Sequence, residues 1–282
     1  MSLLSSKNCN QVLVVGCGLM GAGITQVIAQ AGIKVVASDR AEKDIERGKK
    51  QILKGISKKE EEEQQQILSR ITFTTNMEDG KDSDLVIEAV PEKLEIKKEV
   101  FAKLDQFMNP DAILASNTST LSIAAISSVT KRPEKVIGLH FFSPVPVMKL
   151  LEIVEGISTG EETLEFSKQF AEQIGKETIV AKDYPGFTVN RVLVPMLNEA
   201  AYLVMEGNDP RDIDRGMMLG TNHPIGPCKL TDMVGADVLF YALESLYADF
   251  SDSKYRPCPL LRRMVEAGHL GKKSGQGYYK YE

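Results

Sequence analysis

The strongest constraint on how this chain folds lies near its start, in "QVLVVGCGLMGAGITQVIAQAG", residues 11–32. The apolar run Val12 to Val15 reads as a buried strand. It is broken by Gly16, Gly18 and Gly21, and Leu19 to Ala31 then follow the spacing of a helix closed by Gly32. A G-x-G-x-x-G pattern alone is weak, but here it follows a strand and opens a helix, which is the context a dinucleotide site requires. Gly16 permits the tight turn, Gly18 lets a pyrophosphate approach the backbone, and Gly21 lets helix and strand pack closely. Leu19 and Met20 lie inside the same loop, at the helix N-terminus that faces the anion. The next strand, "KVVASD", ends at Asp39, about 20 residues beyond the first glycine. A carboxylate there accepts from ribose hydroxyls and repels a 2′-phosphate, so NAD is expected over NADP, with Arg40 beside it opposing that preference. The bland alternative is a glycine turn without a ligand.

The rest of the chain fixes the architecture. Strand candidates recur at "ITFTT", "DLVIEAV", "AILASN", "KVIGLHFF", "KLLEIV" and "ETIVA", and helical stretches separate several of them. This alternation predicts an α/β, Rossmann-like, doubly wound and mostly parallel sheet. Residues 41–70 read as a solvated helical pair. After "KDYPGF" the pattern turns helical, with no strand expected until the tail "GYYKY". The expected domains are therefore 1–185, binding NAD, and 186–282, an all-helical C-terminal domain.

Composition excludes other classes. A net charge of −5 and a pI near 5.5 argue against a general nucleic-acid binder. No apolar run is long enough to span a bilayer, so no membrane partner is expected. Cys9, Cys17, Cys228 and Cys258 form no zinc or redox spacing, no metal is expected, and scattered thiols suit a reducing cytoplasm.

Polar residues then interrupt runs that otherwise read as buried. "LVIEAVPE" places Glu88 inside a strand and Glu92 just after it. "AILASNTST" ends a strand with Ser116 to Thr120; Asn117 and Ser119 are expected to face the cleft while Thr120 caps the next helix. His140 closes another strand, and Glu152 lies in the strand after "PVPVMK". An extended stretch, a turn at the prolines and a return would bring the two together. A lone histidine among apolar residues is ordinarily a satisfied core residue. A second buried ionisable group changes that reading, because an unpaired buried carboxylate is costly. A His–carboxylate pair at a nicotinamide cleft handles protons. Beyond the boundary, Asn190 sits near the start of a helix, facing either water or the cleft.

Together, "GCGLMGAGI", "EAVPEKLEIKKEVF", "SNTSTL", "GLHFFSPVPVMKLLEIV", "PGFTVNRVLVP", "HPIGPCKLTDMVG" and "GKKSGQGYYKY" resemble the L-3-hydroxyacyl-CoA dehydrogenase family over nearly the whole chain. Within it they resemble the short bacterial 3-hydroxybutyryl-CoA dehydrogenases. The resemblance implies His140 as general acid/base and Glu152 as its orienting partner, with Ser119 and Asn190 on the substrate oxygen. It places Asp39, Glu92, Lys97, Asn117, Ser119 and Lys273 near NAD. It implies a short-chain acyl-CoA substrate, with CoA at the helical hairpin after the second strand. That hairpin is shortened here, and Lys54 is the lysine assigned to it. It also implies a homodimer formed through the C-terminal domain. One departure stands out: the family reads H-F-F-N-P, and this chain reads "HFFSP", so Ser143 replaces an asparagine at the nicotinamide end with a shorter reach.

Other chemistries fit less well. There is no Tyr-x-x-x-Lys, and no lysine occurs between Phe187 and Cys228, where a 3-hydroxyisobutyrate-type enzyme would carry its catalytic one. Another hydroxy acid as substrate, or a crystallin-like protein that binds NAD without turnover, remain the alternatives.

Overall fold

A computed structural model describes residues 8–282. The chain divides into two compact units, Met1–Tyr184 and Pro185–Glu282. In the first unit the order is β1 (Gln11–Val15), α1 (Leu19–Gln30), β2 (Lys34–Ser38), α2 (Glu42–Ile56), α3 (Glu61–Ser69), β3 (Ile71–Thr74), β4 (Leu85–Glu88), α4 (Leu94–Phe107), β5 (Ile113–Ser116), α5 (Ile123–Ser127), β6 (Val136–Phe141), β7 (Leu150–Glu155), α6 (Glu161–Gln173) and β8 (Glu177–Lys182). The strands make one eight-stranded sheet in the order β3-β2-β1-β4-β5-β6-β7-β8. β1 to β6 are parallel; β7 pairs antiparallel with β6, and β8 runs parallel to β7. The direction of winding reverses between β1 and β4, which makes the crevice beyond their carboxyl ends the expected ligand position.

The central strands are buried on both faces, and their sequences read as continuous apolar runs for that reason. Val12, Val14, Ile24, Ile28, Leu85, Ile87, Leu139 and Ile153 belong to one buried cluster. Residues 41–70 form a helical pair, but α2 is more than a solvated face. It buries Ile45, Ile52 and Ile56 at helical spacing. Its Gly48 packs against the Cys17 carbonyl, where an added Cβ would come within 2.8 Å. The polar composition of "KGISKKEEEEQQQ" obscures this narrow apolar stripe.

The second unit contains α7 (Val189–Met205), α8 (Pro210–Thr221), α9 (Pro227–Val234), α10 (Ala236–Phe250) and α11 (Pro259–Glu266). Leu197, Leu239, Leu243, Tyr255 and Leu261 are at the centre of its core. The expected tail strand is not formed: among the described residues the only bridge "GYYKY" makes is the isolated one of Lys280 with Gln276, which also bridges Gly271. Side chains meet its backbone needs instead. Asp232, 1% exposed, accepts from the Tyr278 and Tyr279 N–H groups at 2.9 Å each and from the Tyr281 hydroxyl at 3.1 Å. Asp214 accepts from Cys228 N–H, Lys229 N–H and the Tyr279 hydroxyl. Two buried carboxylates thus clip the C-terminal tail to α8 and α9.

Among the described residues no helix is long and apolar enough to cross a membrane, and no group of His, Cys, Asp or Glu is placed to hold a metal ion.

Candidate active site

The glycine loop has the geometry its spacing predicts. Gly16 has φ +104°, and a Cβ there would lie 2.7 Å from the Ala89 carbonyl oxygen, in the turn that follows β4. A Cβ on Gly21 would run into the Gly16 carbonyl oxygen. At Gly18, the N-cap of α1, a Cβ would meet nothing within 4 Å. Fold geometry therefore explains the first and third glycines, whereas the second faces open space at a helix N-terminus, where an anion is favoured. Leu19 is 66% exposed and Met20 half-buried beside that space. The loop opens into a cleft of about 920 Å³, whose walls include Gly16, Gly18, Leu19, Met20, Asp39, Arg40 and Pro91. Asp39 ends β2 in this cleft. Its carboxylate accepts from Cys17 N–H at 2.7 Å and Arg40 N–H at 2.8 Å, which ties the acid to the loop. Burial, reinforced by Asp39 and Asp44, pushes the Cys17 thiol up to about 12, so it stays protonated.

The carboxyl ends of β4 and β5 carry a polar cluster. Asn117 is 9% exposed, and its Oδ1 accepts from Phe141 N–H at 2.9 Å, which braces the end of β5 against the end of β6. Glu92, just after β4, gathers the loop after β5: its Oε1 accepts from the Thr118 hydroxyl (2.6 Å), Ser119 N–H (2.8 Å) and Thr120 N–H (3.2 Å). Burial pushes the Glu92 carboxyl up, but the Lys97 charge and these hydrogen bonds outweigh it and hold the group below its ordinary value. Thr120 does not cap α5 as expected. The cap is Ser122, whose Oγ accepts from Ala125 N–H, and Asp183 joins it by accepting from the Ser122 hydroxyl, Ile123 N–H and Ala124 N–H. A carboxylate 60 residues along the chain took the role that local spacing gave to Thr120.

Lys97 is 1% exposed, with its ammonium directed at Glu88, Glu92 and the Val90 carbonyl. This burial was not legible in the sequence, since Lys97's position in α4 reads as one lysine of a charged helix. Lys54 is exposed in the last turn of α2. Ser143 is exposed just past β6, at the cis Ser143–Pro144 peptide.

His140 and Glu152 are partners in the antiparallel β6–β7 register. Directly opposed residues point to the same face of a sheet. Their side chains meet, His140 Nδ1 to Glu152 Oε2, at 2.8 Å, with side-chain exposures of 5% and 0%. The Phe142 ring lies 4.5 Å from the imidazole, centroid to centroid. A carboxylate accepts and does not donate, so the Nδ1–Glu152 contact places the neutral ring's proton on Nδ1 and makes Nε2 the basic nitrogen.

Asn190 and Lys273 belong to the second unit. Asn190 is half-buried in the first turn of α7. Lys273 pairs with Asp237, at 2.6 Å, at the start of α10.

A chain that offers a dinucleotide a glycine turn, and three strands along the same sheet edge a buried imidazole tied to a carboxylate, is built as an NAD-dependent dehydrogenase. Residues 11–184 match the model of the 3-hydroxyacyl-CoA dehydrogenase NAD-binding domain, and residues 186–281 that of the family's C-terminal domain. A probable 3-hydroxybutyryl-CoA dehydrogenase of Bacillus subtilis is 47% identical over 279 residues, covering 96% of this chain and 97% of its relative. The 3-hydroxybutyryl-CoA dehydrogenase of Bradyrhizobium diazoefficiens is 44% identical, with 96% and 95% covered. The crystal structure of (S)-3-hydroxybutyryl-CoA dehydrogenase PaaH1 from Ralstonia eutropha matches at a TM-score of 0.92 and 41% identity, covering 98% of this chain and 100% of that one. The chain belongs to the 3-hydroxyacyl-CoA dehydrogenase family.

Proposed function

We propose that the protein interconverts (S)-3-hydroxybutyryl-CoA and acetoacetyl-CoA, reversibly and with NAD(H). The observation that carries this reading is the buried His140–Glu152 pair at the ligand end of the NAD-binding sheet. The named relatives carry the name of this four-carbon substrate, and their similarity covers 96–98% of this chain. Bound NAD supplies a hydride acceptor, and NADH a hydride donor.

In oxidation, His140 Nε2 takes the substrate hydroxyl proton; in reduction, the imidazolium returns it to the developing alkoxide. Glu152 keeps the ring in the tautomer that presents Nε2 and stabilises the imidazolium when it forms. Ser119 and Asn190 orient the substrate oxygen. Gly16, Gly18, Leu19, Met20 and Gly21 receive the pyrophosphate, and Asp39 the adenosine ribose. Glu92, Lys97, Asn117, Ser143 and Lys273 complete the cofactor site, and Lys54 meets CoA. The open space at Gly18 and the Asp39 carboxylate at the cleft wall fit that cofactor.

The second unit forms a homodimer, a reading supported by exposed apolar side chains such as Val192 (71%), Leu219 (76%), Met233 (59%) and Tyr241 (60%). All four cysteines are free and buried, in keeping with a reducing cytoplasm. The test is loss of NADH absorbance on adding acetoacetyl-CoA, compared with longer 3-ketoacyl-CoA esters. Rapid turnover of the four-carbon ester is expected. Turnover of only the longer esters, or of none, would overturn the substrate assignment.

A further inference from the structure

Beneath the exposed part of the site lies a charged chain whose inner member has no role in the mechanism above. Glu88, the last residue of β4, is 0% exposed. Its Oε1 accepts from the Lys97 ammonium at 2.8 Å and Val90 N–H at 2.6 Å, and its Oε2 from the Ser116 hydroxyl at 2.7 Å. The same ammonium reaches Glu92 Oε2 at 3.2 Å. Glu92 is 40% exposed, and its other oxygen holds Ser119 N–H. One continuous path therefore runs from a fully buried carboxylate, through a fully buried lysine, to a half-exposed carboxylate and the backbone of the substrate loop.

Stability does not explain such a path. A buried ion pair is commonly no better than an apolar pair of the same volume, because desolvation offsets the attraction. What it supplies that an apolar pair lacks is direction. Lys97 has three protons to place, and Glu88 fixes one of them, so the ammonium stays within reach of Glu92 Oε2. With Oε2 facing the lysine, Oε1 is left to gather Thr118, Ser119 and Thr120.

We infer that Glu88 is a positioning residue which, through Lys97 and Glu92, sets both the cofactor-facing carboxylate and the orientation of Ser119. The Ser119 half rests on the reaction proposed above, and the cofactor half on the cofactor site proposed there, not on the substrate. Disturbing Glu88 should therefore weaken NADH binding and blunt the contribution of Ser119 together, without lowering stability in proportion.

The experiment compares wild type with Glu88→Gln, which conserves volume and leaves Lys97 and Glu92 in place, each with and without Ser119→Ala. Melting temperature, NADH affinity and kcat with acetoacetyl-CoA are the readouts. Glu88→Gln should stay folded yet bind NADH at least about tenfold more weakly, the scale of one charge-assisted hydrogen bond. Ser119→Ala should cost less in kcat in that background than in wild type. Unchanged NADH affinity with fully multiplicative kcat effects would overturn the inference. If the wild type turns over no acetoacetyl-CoA but NADH affinity still falls in the variant, the substrate reading fails and the positioning role stands. Should Glu88→Gln not fold, Glu88→Asp keeps the charge but withdraws it by one methylene. It should bind NADH more weakly while remaining folded; wild-type NADH affinity there would also refute the inference.

Discussion

Gly18 and Gly21 stand three residues apart, at the N-cap and in the first turn of α1, yet alanine at each should fail differently. At Gly18 the added methyl enters open space, so Gly18→Ala should keep its melting temperature and bind NADH more weakly, because the methyl occupies the pyrophosphate's approach. At Gly21 it runs into the Gly16 carbonyl, so Gly21→Ala should lose stability, by about 1–3 kcal/mol or more. Calorimetry and NADH titration of both variants separate the two; a destabilised Gly18→Ala of normal affinity would contradict the division. Asp39 invites a parallel test. Its carboxylate faces the cleft from the end of β2 with Arg40 beside it. Asp39→Ala should shift the ratio of kcat/KM for NADPH over NADH upward, and a ratio unchanged from wild type would remove Asp39 as the discriminating group. These residues were legible in the sequence because each answers to a local rule of spacing. The long-range contacts of Glu88 and Asp183 were not: Glu88 reaches Ser116, 28 residues on, and Asp183 reaches residues up to 61 away.

At the scale of elements, the strands were readable from apolar runs, and the His140–Glu152 encounter from a turn between two of them. The tail was misread because aromatic, β-favouring residues in "GYYKY" resemble a strand, while the acceptor for their N–H groups is Asp232 in α9. Asp232→Ala should therefore destabilise the second unit by about 3 kcal/mol, since two backbone donors and a hydroxyl lose a charged acceptor. Urea unfolding measures this, and a loss below about 0.5 kcal/mol would show the tail held by packing alone. The loop after β5 gives an acid-side expectation. Glu92 is held below its ordinary value of 4.5 in the folded protein. The stability tied to its ionisation is present above that value and lost as pH falls through the lower, folded one. The stability gap between wild type and Glu92→Gln should accordingly be largest at neutral pH and shrink as pH falls below 4.5. A gap that is constant with pH would mean the charge contributes nothing.

For the whole molecule, the fold class was legible because alternation of strands and helices leaves few architectures, and the all-helical second unit because its periodicity changes after "KDYPGF". The return of β7 was readable from the turn at the prolines, whereas the direction of β8 was less accessible, since a short turn and a crossover differ only in what lies between two apolar runs. What the molecule does turns on one pair in one sheet. If His140 moves the proton, its loss should abolish chemistry and spare the cofactor site, because the imidazole is separate from the glycine loop and the Asp39 cleft. The most direct measurement is single-turnover reduction of acetoacetyl-CoA by NADH-loaded His140→Ala, alongside its NADH affinity and melting temperature. The account predicts a folded enzyme with near-normal NADH affinity and a rate lower by at least about 10²–10⁴-fold. A folded, NADH-binding His140→Ala that reduces the ketone at the wild-type rate would contradict it, and would leave this histidine a satisfied residue of the core.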